Sequence, residues 1–207
     1  MKKKAQNIAL TGGLVVFVMI VVGVLIALMM GFDKVEANHL GVQVKFGQII
    51  GVQEPSLKWT GLFVDVHQYD MRTRKAVIEL TGGDSAVDKS GQYVSSIINV
   101  NYRVKRDFDT VKNLYSNIGT DKYIADRLNI DAIIKEGFKQ ATVKYDALEI
   151  LEKRQEVKEL AKSNIKKNFP EQYFEIEQII ITNIDFSQQF KQAIEDKKTA
   201  EQRAMEE

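Results

Sequence analysis

The most constraining feature of this sequence is a run of 25 residues without a charged side chain, from Ile8 to Phe32. As an α-helix that rises ~1.5 Å per residue, the run would extend roughly 37 Å, whereas the hydrocarbon core of a bilayer is ~30 Å thick. A modest tilt takes up the excess length. Because lipid offers no hydrogen-bond partner to backbone amides, a segment placed there has to be helical. The run therefore predicts a transmembrane helix over residues 8–32.

Cleavage as a secretory signal is the alternative fate of such a run. The apolar part of a signal peptide is ~7–15 residues long, and this run is much longer. A cleavage-like site, Val35-Glu36-Ala37, lies beyond the end of a complete span. We therefore expect an uncleaved anchor. The apolar residues that we expect to hold it in lipid are Leu14, Val18, Val22, Leu25 and Leu28.

Charges flank the run unequally. Three consecutive lysines, Lys2 to Lys4, precede it together with the terminal amine, whereas Asp33, Lys34 and Glu36 follow it and nearly cancel. Positive residues stay on the cytoplasmic side of inserted segments. The asymmetry predicts a basic cytoplasmic N-terminus, residues 1–7, and a body of the chain on the periplasmic or extracytoplasmic side.

The charge balance and the rare residue types exclude several classes of function. Lys plus Arg number 29 and Asp plus Glu number 28, a net charge of +1, which argues against a nucleic-acid binder that depends on a strong basic field. Cysteine is absent, so disulfides, thiolate metal sites and cysteine nucleophiles are excluded. With only two histidines, His39 and His67, a His-rich zinc site is excluded too. We predict no catalytic residue, no cofactor, no metal site and no nucleic-acid partner.

One pair of residues keeps an enzymatic alternative open. Ser163 and Lys166 have the spacing of a Ser–Lys nucleophile pair. The same helix carries Lys162 and Lys167, and we expect these lysines to be solvated. We favour a protein that is not an enzyme, and the alternative is a membrane-tethered hydrolase or protease.

After the span, the first half of the body reads as strands. Val42, Val44 and Phe46 alternate with Gln43 and Lys45, the period of a half-buried strand. The predicted strands are His39–Gly51, Leu62–His67, Lys75–Leu80 and Gln92–Lys105. In the last of them Val94, Ser96, Ile98, Val100, Tyr102 and Val104 share one face. We expect it to pair antiparallel with Lys75–Leu80.

The second half reads mainly as helices. Asp107 can cap a helix that ends near Gly119, and Thr120 or Asp121 can open a second one that reaches Phe138. Asp146 opens a third, which Pro170 stops. Residues 173–185 are rich in β-branched side chains and predict a strand that rejoins the sheet. The predicted fold is α+β: one transmembrane helix, then a mixed or antiparallel sheet packed with helices over residues 33–186, then a C-terminal helix, 187–207, that begins a coiled coil.

Short motifs in a fixed order resemble one family. The matching segments are Asn38–Gly47 (a G-V-x-x-x-F-G strand), Gly61-Leu62-Phe63, Tyr69–Arg74, the turn Asp88–Gly91, Val100–Val104, Arg154 and Ile194–Ala204. Together they resemble the SPFH or band 7 superfamily, which includes stomatins, prohibitins, flotillins and the bacterial HflK/HflC pair. The layout is most similar to prohibitin-like or HflC-like members. Two departures stand out: Thr60 replaces the usual proline before Gly-Leu, and the C-terminal helix is shorter than in the family.

The resemblance implies a structural function. It leads us to expect that this chain is a single-pass membrane scaffold that oligomerises side by side into a ring or cage-like assembly and organises a membrane microdomain. It also implies partners: the lipid bilayer, further copies of the chain in a large homo-oligomer or a paralogous SPFH subunit, and an ATP-dependent membrane protease of the FtsH type, which the assembly would enclose or regulate.

Two surfaces are candidates for these contacts. Trp59, Leu62 and Phe63 lie in an apolar stretch that either dips into the lipid interface or packs in the core. Along the C-terminal helix a weakly apolar stripe is flanked by opposite charges, a pattern that suits lateral packing of identical chains. The self-association residues that we predict there are Phe190, Ile194, Lys197, Glu201 and Arg203.

Overall fold

In the computed structural model the chain forms two compact units, each with its own helices and strands. The structure describes the backbone of residues 2–206 and the side chains of residues 13–26, 28–196, 199–200 and 202–203. Unit 1 comprises Met1–Met71 and Arg106–Asp121, and unit 2 comprises Arg72–Lys105 and Lys122–Glu207. Helices and antiparallel sheets occur together, so the predicted α+β class is confirmed.

Unit 1 carries the N-terminal helix and most of the shorter strands. Its elements are α1 (Lys2–Met29), β1 (Phe32–Val35), β2 (His39–Lys45), β3 (Gln48–Gln53), β4 (Ser56–Trp59), β5 (Val64–Asp70) and α2 (Phe108–Asn117). β1 and β4 form an antiparallel ribbon, and β3, β2 and β5 form a three-stranded antiparallel sheet with β2 in the middle. α2 packs on this sheet, and its predicted cap is confirmed because the Asp107 carboxylate accepts a hydrogen bond from the Thr110 backbone N–H at 2.8 Å.

The prediction of one strand over His39–Gly51 was wrong. The chain turns back after Lys45, and the predicted strand becomes the β2–β3 hairpin. Phe46 and Gly47 form the turn with φ of 49° and 80°, both in the left-handed region. Phe46 continues the alternation of Val42 and Val44 in the sequence, so the period alone could not show where the strand ends.

Unit 2 is built around one long central strand. Its elements are β6 (Arg74–Leu80), β7 (Ala86–Val87), β8 (Tyr93–Val104), α3 (Ile124–Arg127), α4 (Ile130–Thr142), α5 (Ala147–Glu152), α6 (Arg154–Asn168), β9 (Phe174–Phe186) and α7 (Gln188–Glu206). β6 and β7 pair with one edge of β8 and β9 pairs with the other, all antiparallel. The predicted pairing of Lys75–Leu80 with the long strand and the return of the late strand are both confirmed. The body contains separate sheets, however, and not the single sheet that we expected.

The inward face of β8 follows the predicted alternation without exception. Its buried residues are Val94, Ser96, Ile98, Val100, Tyr102 and Val104. α4 and α6 pack against each other and line the same core, to which they contribute Ile134, Phe138, Val157 and Ile165.

Two predicted helices are interrupted. Asn129 adopts a left-handed conformation with φ of 49° and separates α3 from α4. Asp146 opens α5 with a reciprocal capping box to Glu149, as its position predicted, but the helix stops at Glu152 and a new one begins at Arg154. The intervening Lys153 departs from helical backbone geometry with φ −107° and ψ 33°.

The helix in the predicted span ends before the charge-free run does. α1 stops at Met29, and Phe32 is already the first residue of β1. Among the described residues, no helix combines the length and the apolarity that a bilayer crossing needs.

Candidate membrane-facing site

The five predicted anchoring residues all lie on α1 with exposed side chains. Leu14, Val18, Val22, Leu25 and Leu28 are each more than two-fifths exposed. Other apolar side chains of α1, among them Phe17 and Met19, are exposed as well. In a water-soluble protein an amphipathic helix buries one apolar face. The described part of α1 buries none, so its whole circumference is available to an apolar environment.

The three predicted residues of the apolar loop do not all lie in a loop, since one ends a strand and two form a turn. Trp59 is the last residue of β4 and is 48% exposed, and its indole N–H donates to the Leu28 carbonyl at 3.2 Å. Leu62 is half-buried in the turn that follows, and Phe63 ends that turn with φ of 63°. Only Phe63 projects fully outward, since its side chain is 75% exposed.

Phe63 has a partner that sequence reasoning missed. The ring of Phe46 stacks on the ring of Phe63, with centroids 5.9 Å apart, and Phe46 is 80% exposed. The two residues, called here the aromatic pair, meet because β2 ends opposite the start of β5, where Lys45 faces Val64. A left-handed backbone is uncommon for bulky residues and has to be held by its surroundings. Here it turns both rings out of the sheet.

The aromatic pair lies close to the end of α1. The backbone N–H of Thr60 donates to the Gly31 carbonyl at 2.8 Å, two residues after α1 ends. Phe63 follows only three residues later. The Lys45 ammonium lies 6.0 Å from the centroid of the Phe46 ring. One end of unit 1 therefore combines the end of an apolar helix, two exposed aromatic rings and a cation.

At the start of α7, two predicted self-association residues are half-buried against their own unit. The ring of Phe190 contacts the ring of Phe186 at a tilt of 42°, with centroids 5.2 Å apart, and Ile194 lines the same groove of about 360 Å³. An ion pair of 2.7 Å between Lys191 and Asp185 closes one side of this groove. The Lys191 hydrogen bond lowers the pKa of the Asp185 carboxyl, which burial opposes. Arg203 is exposed, whereas the side chains of Lys197 and Glu201 lie outside the described residues.

The residues of the enzymatic alternative do not form a site. Ser163 and Lys166 are both exposed on α6, and no hydrogen bond joins them among the described residues. His39 Nδ1 lies 3.0 Å from the Ala37 carbonyl, and His67 stacks on Tyr115 at 4.9 Å. Within the side chains that the structure describes, no three His, Asp or Glu residues converge to hold a metal ion.

A buried phenol in unit 1 is held in its neutral form. The Tyr69 hydroxyl donates to the Gly119 carbonyl at 2.6 Å. Burial raises the pKa of this phenol, and the charge of Asp121 raises it further. The neutral hydroxyl can therefore donate to the segment after α2 and tie it to β5 at neutral pH.

Comparison with known proteins points to one family and to prohibitins within it. Residues 33–207 match the SPFH domain / Band 7 family. The chain is 29% identical over 136 residues to prohibitin-1 of Colletotrichum higginsianum, covering 66% of this chain and 46% of that protein. It is 29% identical over 137 residues to mitochondrial prohibitin complex protein 1 of Caenorhabditis elegans, with 66% and 46% covered. It is 23% identical over 198 residues to prohibitin-2 of Schizosaccharomyces pombe, with 88% and 64% covered. The chain thus spans about half the length of the first two relatives.

Proposed function

The chain belongs to the SPFH domain / Band 7 family, and we propose that it is a non-enzymatic, membrane-anchored scaffold. Its single membrane span would be the part of α1 that lies in the predicted run 8–32, which ends at Met29, with residues 1–7 in the cytoplasm. Residues 33–186 and the C-terminal helix, 187–207, would stand on the periplasmic or extracytoplasmic side.

One observation carries the anchor: the described side chains of α1 are apolar and exposed around the whole helix. The sequence extends this character to 25 consecutive residues without a charge. Full burial of each such side chain contributes roughly 1.5–3 kcal/mol, so leaving them all in water would be very unfavourable. Lipid is the environment that accommodates an apolar helix with no buried face.

The aromatic pair supports a second contact with the membrane. Phe46 and Phe63 point outward beside the end of α1, where the lipid headgroups would lie if α1 spans the bilayer. Aromatic rings favour this interfacial region, and Lys45 next to them would meet anionic headgroups. Of the three residues predicted for a dipping loop, Phe63 is the one that reaches outward, and Phe46 joins it.

Assembly is the other half of the proposal. Prohibitin-1 and prohibitin-2 proteins both match this chain, and the name of one relative places it in a complex. The partner would be a second copy of the chain or a paralogous SPFH subunit, packed side by side in a ring or cage through α7. Such an assembly would organise a membrane microdomain and enclose or regulate an FtsH-type protease, a partner that is inferred from the family resemblance alone.

Liposome flotation and particle mass in mild detergent test the proposal on the full-length chain. The parent should float and should give particles many times heavier than one chain. Val18→Asp with Val22→Asp should abolish flotation, because each central carboxylate costs about 3 kcal/mol in a spanning helix. Val18→Leu with Val22→Leu is the matched control and should float. Brominated lipids in the vesicles should quench the fluorescence of Trp59, the single tryptophan.

The outcomes separate the two halves. A parent that floats only as a monomer would refute the scaffold and keep the anchor. A doubly charged variant that floats like the control would refute the anchor. Arg203→Glu should lower the particle mass without changing flotation, and an unchanged mass would show that α7 does not hold the assembly.

A further inference from the structure

The passage from α1 to the first strand is very short. Only Met30 and Gly31 separate the end of α1 from the start of β1. The last carbonyls of a helix lack partners within the helix and need others. How they are satisfied decides whether the helix can swing against the strands.

The Leu28 carbonyl accepts from the Gly31 backbone N–H at 3.3 Å, and two neighbouring residues, the last of β4 and the one after it, add donors to Leu28 and to Gly31 just beyond the helix. The Trp59 indole N–H donates to the Leu28 carbonyl at 3.2 Å. The Thr60 backbone N–H donates to the Gly31 carbonyl at 2.8 Å. The Thr60 hydroxyl lies within hydrogen-bond distance of the Gly31 carbonyl and of the Asp33 carboxylate, and its one hydrogen serves one of them at a time. These residues, Leu28, Gly31, Asp33, Trp59 and Thr60, are called here the exit junction.

Gly31 fits the indole closely. A Cβ atom on Gly31 would lie 2.5 Å from Trp59 Nε1, a separation that side chains do not tolerate. Gly31 is itself buried. The indole therefore sits against bare backbone, and its N–H can reach the end of α1.

The ribbon beyond the junction is tied to the three-stranded sheet. Gln53, 4% exposed, donates through Nε2 to the Asp33 carbonyl at 3.4 Å and to the Ser56 carbonyl at 3.2 Å. Gln68 donates to the Lys34 carbonyl and accepts from the Glu36 backbone N–H, both at 3.0 Å. Hydrogen bonds thus run without a gap from the last turn of α1 through β1 and β4 to β3 and β5.

We propose that the exit junction is a rigid coupling that fixes the direction in which α1 leaves the sheets of unit 1, and that Thr60 and Trp59 supply the donors that make it rigid. Proline has no backbone N–H and no hydroxyl, so it could provide neither of the Thr60 bonds. Threonine at this position therefore gives this chain a coupling that proline would not. That the coupling sets the height and tilt of unit 1 on a bilayer rests on the proposed anchoring by α1.

The absence of cysteine makes the coupling directly measurable. Spin labels on Val24→Cys in α1 and Gln48→Cys in β3 report the distance across the junction in the full-length chain, by pulsed spin resonance in detergent and in phosphatidylcholine–phosphatidylglycerol nanodiscs. The parent and Thr60→Ser, which keeps both donors, should give one narrow distance distribution. Thr60→Pro and Trp59→Phe, which lose donors, should give distributions roughly twofold broader. Far-UV circular dichroism verifies that each variant is folded.

The proposal is overturned if the parent distribution is as broad as that of Thr60→Pro, or if Trp59→Phe is as narrow as the parent. Should Thr60→Pro fail to fold, Trp59→Phe decides the matter by itself. Flotation of the same samples separates this inference from the proposed function. A narrow parent distribution in a chain that does not float supports the rigid junction and refutes the anchor. A broad parent distribution in a chain that floats supports the anchor and refutes the rigid junction.

Discussion

Gly137 is the residue whose replacement tests the core of unit 2 most sharply. It is buried in α4 where α4 crosses α6. A Cβ atom at this position would lie 2.6 Å from Ile165 Cγ1, 2.9 Å from the Ile165 backbone N and 3.0 Å from Ile165 Cα. The side-chain atom could move aside, but the backbone atoms could give way only if α6 moved. Gly137→Ala therefore forces the two helices apart.

The expected loss can be worked out from opposing contributions. Alanine favours the helix over glycine by about 1 kcal/mol. Overpacking of a well-filled core costs about 1–3 kcal/mol, and contact with backbone places this site at the upper end. The hydrogen bond from Asn164 Nδ2 to the Gly137 carbonyl, 3.3 Å long, would lengthen or break at a cost of about 1 kcal/mol. We expect Gly137→Ala to lower the free energy of unfolding by about 3 kcal/mol, whereas the same change in a helix with open space around it would raise it by about 1 kcal/mol.

Urea unfolding of the full-length chain in mild detergent, followed by far-UV circular dichroism, measures this difference. Gly83→Ala is the control for a glycine in open space, because a Cβ atom there meets nothing within 4 Å; Gly83 lies in a short 3₁₀ turn, so we expect little change in stability and no α-helix gain. In an Ile165→Ala background the side-chain clash is gone and the backbone clash stays, so Gly137→Ala should remain destabilising. The reasoning is refuted if Gly137→Ala stabilises the protein, or if its penalty vanishes in that background.

Two carboxylates give further tests. Asp88 is 3% exposed, and its Oδ1 accepts from the Ser90 and Gln92 backbone N–H groups while its Oδ2 has no hydrogen-bond partner in the described part of the chain. Asp88→Ala should lower the free energy of unfolding by about 3 kcal/mol, and Asp88→Asn, which keeps the accepting oxygen, should lower it clearly less. Equal urea midpoints for the two variants would contradict this. The Thr110 backbone N–H, helped by the Thr110 hydroxyl, lowers the pKa of Asp107. A carboxyl whose pKa is lowered by folding stabilises the fold above its ordinary pKa, and this stabilisation is lost as pH falls through the lowered pKa. The loss of unfolding free energy in Asp107→Ala should therefore be full at neutral pH and fade in acid. A loss that stays constant with pH would count against the cap.

The sequence predicted best those features that depend on neighbouring residues. The alternation along Tyr93–Val104 gave the buried face of β8 correctly, because a strand between two partners must place every second side chain in the core. The caps at Asp107 and Asp146 were located correctly, because a carboxylate reaches a backbone N–H only three residues away. The order of short motifs identified the family that the comparison then established.

The candidate site was predicted only in part. The charge-free run was visible in the sequence, and Phe63 was placed in an apolar stretch that either dips into lipid or packs in the core, but Phe46 was taken for one face of a half-buried strand. The Phe-Gly pair at 46–47 was the one local signal of a turn, and it was read as the end of a strand rather than as the tip of a hairpin. For α7 the sequence pointed to Phe190 and Ile194 as self-association residues, which stays a prediction, and the structure adds that both line a groove of their own unit.

By itself, the sequence determined the charge-free run, the strand periods, the helix starts and the exclusion of cysteine chemistry, since each of these follows from the identity of residues within a few positions of one another. Only the tertiary structure decided that Asn129 and Lys153 interrupt helices, that Phe46 meets Phe63, that Gly137 admits no Cβ and that Trp59 caps α1. Each of these depends on residues brought together from distant parts of the chain or on backbone angles that the packing imposes. No local pattern encodes which distant atom will fill a space, so packing and the geometry of the exit junction had to be seen in three dimensions.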